Sequence, residues 1–162
     1  MGNRARLATI RSSVDAALFG SILCFLLGCS GSRGLENRMV TRIENNCASS
    51  PKCTLRMKDV TEFAWDRMYA FKYTASEKEV EDALGVKPGV FRELQRKLVF
   101  TKNGRIVFQE DEPTNVEHPI KDEVVFDIPD NASYRVYGPE VAFNVSKMTS
   151  EAGPYYELTQ IK

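Results

Sequence analysis

The sequence predicts an α+β fold: one capped helix packed on a mostly antiparallel sheet of about six strands. Three observations carry this. Ser76-Glu77-Lys78-Glu79 has the Ser-x-x-Glu spacing with which a hydroxyl and a carboxylate cap each other's amides at a helix start. Asn103-Gly104 stands between two apolar runs, the preferred two-residue turn where both positions need positive φ. After residue 120, Pro129-Asp130-Asn131, Gly138-Pro139 and Gly153-Pro154 divide the chain into short strand-like pieces.

Taken in order, the first 28 residues read as a leader rather than as fold. Arg4, Arg6 and Arg11 form a basic opening, with Asp15 as its one acid, and the twelve residues 16–27 are uncharged and largely apolar. Twelve helical residues span about 18 Å, short of the roughly 30 Å hydrocarbon core. The run has the length of a signal peptide's apolar region, not of a membrane-spanning helix. It ends in Leu26-Leu27-Gly28-Cys29, which resembles the lipobox of bacterial lipoproteins. That resemblance implies diacylglycerol on the Cys29 thiol, cleavage before it, loss of Cys24 with the leader, and acylation of the new amino terminus. Three acyl chains exceed the two signals that stable anchoring needs. In lipoproteins of enteric-type bacteria, Asp after the lipidated Cys favours the inner membrane. Ser30 here points to the outer membrane, with the inner membrane as the alternative.

Residues 29–46 read as lipidated terminus and tether, and residues 47–162 as a single periplasmic domain. Ser30-Gly31-Ser32-Arg33-Gly34 has tether composition. Met39, Val40 and Ile43 have helical spacing in a polar setting, so residues 35–46 are a marginal helix or linker. Cys47 and Cys53 enclose Ala-Ser-Ser-Pro-Lys, and in an oxidising compartment such a pair predicts a disulfide closing a small loop. Two thiols and one distant His do not make a zinc site, and the spacing is not that of a thioredoxin-like pair.

Phe63, Trp65, Tyr69, Phe71 and Tyr73 share one parity and predict a strand with an aromatic face. The helix from Ser76 carries Val80, Ala83 and Leu84 and stops at Gly85. Residues 98–102 and 105–108 form the hairpin, with Val99 expected opposite Phe108 and Phe100 opposite Val107. Residues 123–128, 134–137, 141–146 and 155–161 are the further strands. No internal repeat occurs. The pattern Phe63-x-Trp65-Asp66-x-x-Tyr69-x-Phe71, then Tyr73-Thr74-x-Ser76-x-x-Glu79-Val80-x-x-x-Leu84-Gly85, resembles a motif of small bacterial lipoproteins. The resemblance extends to the Val99-Phe100-x-Lys102-x-Gly104 hairpin. The capped helix ending in Gly is also similar to repeats of small outer-membrane-assembly lipoproteins and β-lactamase-inhibitor-like folds. Neither resemblance supplies a catalytic residue; both imply a binding or structural module.

Composition narrows the function classes. With 162 residues, 22 basic against 22 acidic side chains and one His, the chain has neither the basic footprint of a nucleic-acid binder nor a multi-histidine site. Loss of the leader removes three Arg and one Asp, leaving 19 basic and 21 acidic residues, a mildly acidic body. His118, in Glu117-His118-Pro119, has no nucleophile motif to serve and reads as an exposed loop histidine rather than part of a Ser-His-Asp site. Glu110, Asp111 and Glu112, with Asp122 and Glu123 beyond a Pro-Thr-Asn turn, read first as a solvated acidic loop. A carboxylate pair for glycoside hydrolysis and a cation site are the alternatives. Lys97, Lys102 and Arg105 read as a basic hairpin tip that protects a strand edge. Trp65, Tyr69, Phe71 and Tyr73 are either a groove for peptide or glycan or, more commonly for such a stripe, a sheet face under a helix. No Gly-rich phosphate loop occurs, and no cofactor is expected.

These observations lead to a lipid-anchored, non-enzymatic envelope protein. It is held to the membrane by Cys29 and binds a protein partner in envelope assembly, maintenance or stress signalling. The partner-binding candidates are Trp65, Tyr69, Glu110, Asp111 and Glu112. An anchored inhibitor or immunity-type protein is the alternative, and a small hydrolase the third.

Overall fold

A computed structural model describes residues 34–47 and 53–161. The leader, Cys29 and the tether as far as residue 33 lie outside the described residues. The class is α+β, with two helices and two mostly antiparallel sheets of four strands each. The elements run α1 (Leu35–Cys47), β1 (Cys53–Arg56), a 3-10 turn (Met57–Asp59), β2 (Arg67–Phe71), α2 (Glu77–Leu84), β3 (Arg96–Lys102) and β4 (Arg105–Glu112). Then follow β5 (Val124–Phe126), β6 (Tyr134–Tyr137), β7 (Ala142–Ser150) and β8 (Gly153–Gln160). The strands expected as one sheet are divided between two.

The first sheet has the order β4-β3-β2-β6, all antiparallel. β2 and β3 are its interior strands and are buried on both faces, which is why they read as nearly continuous apolar runs. Met68, Ala70, Leu98 and Phe100 turn to one face, where the second sheet and α1 complete the larger core. Tyr69, Phe71 and Val99 turn to the other face and pack with Val80 and Leu84 of α2 in a smaller core. The second sheet has the order β1-β7-β8-β5, with β5 parallel to β8. It contributes Leu55, Val124, Phe126, Phe143, Tyr156 and Leu158 to the larger core.

Residues 35–46, expected as marginal helix or linker, are an integral part of the fold. Leu35, Met39, Val40 and Ile43 form a narrow buried stripe on α1, so residues expected as tether pack into the larger core. The Leu35 amide donates to Glu110 Oε2 at 2.6 Å, a tertiary cap supplied by β4. Gly34 leaves room for this contact: a Cβ there would lie 2.1 Å from Glu110 Oε1 and would displace that carboxylate from its cap. At the other end of α1, Cys47 and Cys53 stand at disulfide-bonding distance with Cα atoms 5.2 Å apart, joining the helix to β1.

α2 follows its sequence closely. Ser76 Oγ accepts from the Glu79 amide at 3.3 Å, Glu79 Oε2 accepts from the Ser76 amide at 2.8 Å, and Gly85 ends the helix at φ 68°. Ser133 also donates to Glu79. That hydroxyl, together with the Ser76 amide and hydroxyl, holds the Glu79 carboxyl down at about 2.

Two expectations are corrected. The hairpin turns at Asn103 (φ 52°) and Gly104 (φ 72°) as expected. A bulge between Phe100 and Thr101 shifts the pairing, however, so that Phe100 faces Phe108 and Val99 faces Gln109. Both phenylalanines thereby reach the same core: Phe63 stacks on Phe108 at 4.9 Å and meets Phe100 edge-on at 5.2 Å. The continuous aromatic strand is the second correction. β2 starts only at Arg67, so Phe63 and Trp65 join the larger core while Tyr69 and Phe71 face α2 on the opposite side. The parity changes at a bend around Asp66, whose amide donates to Thr101 O at 2.8 Å and whose carboxylate receives the Asn103 amide at 2.7 Å.

Candidate binding pocket

β3 begins with two consecutive cations on opposite faces of the first sheet. Parity with Leu98 and Phe100 turns Arg96 inward toward the larger core. Its guanidinium then gathers groups from three segments distant in sequence. Nη2 donates to Glu36 Oε1 in the first turn of α1 at 2.9 Å, and Nε lies 2.9 Å from Glu123 Oε1, an ion pair rather than an aligned hydrogen bond. Further donors reach the carbonyls of Val124 and Pro113. The carboxylates are themselves held. Glu36 Oε1 also receives the Val124 amide at 2.8 Å, and Glu123 receives Thr114 Oγ1 at 2.9 Å and the Ile120 amide at 2.7 Å.

Glu112 is the cross-strand partner of Arg96 and is only 4% exposed. Its Oε1 has no hydrogen-bond partner among the described residues. Burial, then a hydrogen bond with Glu36 and the charges of Glu36 and Glu110, push its carboxyl up to about 10, against the opposing pull of Arg96. At neutral pH Glu112 is therefore held in its protonated form, chiefly by burial.

Arg96, Glu112 and Glu123 of this cluster line one wall of a pocket of about 320 Å³ at the end of the first sheet. Apolar side chains from β2, β3, β5 and the connection 113–123 supply most of the lining, including Phe71, Leu98, Val116, Phe126 and Ile128. Tyr73 and Lys72 lie at one side and His118 at the exposed rim. Lys72 Nζ is engaged by Pro129 O at 2.8 Å.

The residues expected from sequence are distributed differently. Trp65 and Tyr69, candidates for partner contact, are 8% and 5% exposed. Trp65 packs edge-on against Phe100 at 5.1 Å and donates its indole N–H to Thr61 Oγ1. Tyr69 lies in the α2 core. Both belong to the interior because the flanking strands supply the aromatic surfaces that cover them. Glu110, Asp111 and Glu112 are not a solvated loop but the last three residues of β4. Alternation sends Glu110 to α1, Asp111 to Lys97 on the opposite face, and Glu112 to the pocket. Lys97 is likewise no tip residue. It is 1% exposed, 3.2 Å from Asp111 Oδ1 and 4.5 Å from the Phe91 ring centre. His118 is exposed, as expected of a loop histidine.

Arg96 and Glu36 were not singled out by sequence, and Glu123 was read only as part of a solvated acidic loop. Arg96 carried a usable signal, since it continues the inward parity of Leu98 and Phe100; Glu36 and Glu123 converge on it only through tertiary packing. Among the described residues no group of three or more His, Cys, Asp or Glu is arranged to hold a metal ion. No helix among them is long and apolar enough to cross a membrane. No family model, curated protein or solved structure matches the chain.

Proposed function

We propose that the protein is a lipid-anchored cell-envelope module that faces the periplasm and acts by binding rather than by catalysis. Its partner is an envelope protein met in assembly, maintenance or stress signalling. The basic opening, the twelve-residue apolar run and Leu26-Leu27-Gly28-Cys29 support the anchor, with Cys29 as the lipidated residue. Ser30 favours the outer membrane over the inner.

One observation supports binding: the cations Arg96 and Lys97 in the pocket wall are already paired with carboxylates of the protein itself. Arg96 is engaged by Glu36 and Glu123, and Lys72 by a backbone carbonyl, while the remaining lining is mostly apolar. An apolar concavity with a few placed polar groups is the form of a recognition site. Crosslinking in native envelopes followed by affinity purification tests the reading. One envelope protein should be enriched over an unrelated lipoprotein bait, and that enrichment should fall when Val116 at the pocket mouth is replaced by Trp. Equal recovery with both baits contradicts it. The anchor has its own test: Cys29→Ala should abolish acyl labelling and leader cleavage, and a labelled, cleaved variant contradicts lipidation at Cys29.

A further inference from the structure

Large apolar side chains exposed singly are ordinary on a folded protein; several on one short connection that is held in place are not. Val90 and Leu94 are 71% and 62% exposed, the highest values for large apolar side chains among the described residues. Both lie in the connection from α2 to β3, where Val86 is exposed as well. The connection is pinned from beneath. Gln109 of β4 accepts from the Gly89 amide at 3.3 Å and donates to Val90 O at 3.1 Å. Lys97 donates to Arg92 O and lies over the Phe91 ring. Leu94 has φ 55°, a left-handed conformation that branched side chains rarely adopt, and its exposure gives no packing in return. An apolar side chain kept in that conformation at the surface calls for an apolar surface outside the chain.

β4 also holds the start of the fold. Glu110, next to Gln109, caps Leu35, and Gln109 lines the same hollow as Gly34. The connection and Gly34 are thus held at adjacent positions of one edge strand. Gly34 stands five residues after Cys29. At no more than about 3.6 Å per residue, that length of chain spans at most about 18 Å. A lipid on Cys29 therefore keeps this edge of the domain close to the bilayer.

We propose that the connection 86–94 is a membrane-contact loop, which sets Val90 and Leu94 into the interfacial region of the bilayer that carries the Cys29 lipid. The bilayer is the occupant because the anchor brings it to this edge in every molecule, whereas a protein partner must arrive by diffusion. The charges of the loop, Lys87 and Arg92 against Glu93, do not repel anionic headgroups. Contact there orients the domain, with β4 toward the membrane and β6, the opposite edge of the first sheet, away from it. The inference rests on the anchor reading above and adds which face of the domain meets lipid.

The test uses the full lipidated chain reconstituted in vesicles of phosphatidylethanolamine and phosphatidylglycerol. Val90→Cys, Leu94→Cys and Val136→Cys are labelled in turn, under non-reducing conditions, with an environment-sensitive nitrobenzoxadiazole. Val136, 46% exposed on β6, is the control. The probes at 90 and 94 should shift to the blue on reconstitution and be quenched by spin-labelled lipid; the probe at 136 should do neither. Leu94→Asp introduces a residue that tolerates the left-handed backbone, so it should remove the shift at position 90 without lowering the urea midpoint. An equal shift at 136, or a shift at 90 untouched by Leu94→Asp, would overturn the inference. A lowered midpoint would assign Leu94 to the fold and overturn it as well. An acylated chain whose probes at 90 and 94 stay in water defeats this inference alone; a chain without lipid on Cys29 defeats the anchor and this inference together.

Discussion

Arg96 and Lys97 are neighbours in the chain, yet they solve the burial of a positive charge in different ways. Lys97 faces α2 and the connection before β3. It meets one carboxylate, Asp111, directly across the strand pair, with the Arg92 carbonyl and the Phe91 ring completing its surroundings. Arg96 faces the other core, where Glu36, Glu112 and Glu123 converge from α1, β4 and the start of β5. One cation against one acid is locally balanced and needs only a hairpin. One cation among three acids is not, and Glu112, buried beside the other two, is the carboxyl pushed toward its protonated form. That imbalance makes the Arg96 side a site and leaves the Lys97 side a structural pair.

The largest effect should come from removing the hub. Arg96→Leu leaves Glu36 and Glu123 as uncompensated charges and should destabilise by about 3–5 kcal/mol in urea unfolding. A loss no larger than that of a surface substitution would show that the carboxylates do not depend on it. Asp111→Asn should cost less, about 1–3 kcal/mol, because Lys97 keeps a carbonyl and an aromatic face. If Asp111→Asn proved the more damaging, the contrast between the two faces would be reversed.

The pH dependence sharpens the same contrast. Glu112 has its folded-state value raised to about 10, so the folded protein holds a proton that the unfolded chain releases near 4.5. Its contribution is fully present below the unfolded value and is lost as pH rises toward the folded one, with a slope of at most about 1.4 kcal/mol per pH unit. Glu112→Gln should flatten that alkaline loss, whereas Asp111→Asn should leave it in place. Glu79 runs oppositely: with its folded-state value lowered to about 2, its contribution is present above 4.5 and lost as pH falls toward 2. The smallest expected effect is Ser76→Ala, which removes the cap of α2 for about 1 kcal/mol and should weaken the acid-side loss without touching the pocket.

Local signals in the sequence carried over to structure where the chemistry was local. The Ser76–Glu79 capping box, Gly85 and the Asn103-Gly104 turn are set by neighbouring residues and stand where expected. Position across the sheet was less legible. A bend at Asp66 changes the parity between Trp65 and Tyr69, and one bulge moves Phe108 opposite Phe100. The acidic run gave no local sign of being a strand end, because period-two alternation sorts Glu110, Asp111 and Glu112 onto faces whose partners lie far along the chain. α1 was underestimated for the same reason: four apolar residues suffice when another strand supplies the cap.

The central claim is that Glu112 is a neutral carboxyl in the pocket wall, kept so by Glu36 and burial. Carboxyl-carbon NMR of the full chain labelled at Glu side chains, assigned with Glu112→Gln, reads it directly. The account predicts that the Glu112 signal keeps its protonated position through neutral pH. A Glu112 signal titrating near 4.5 would contradict it.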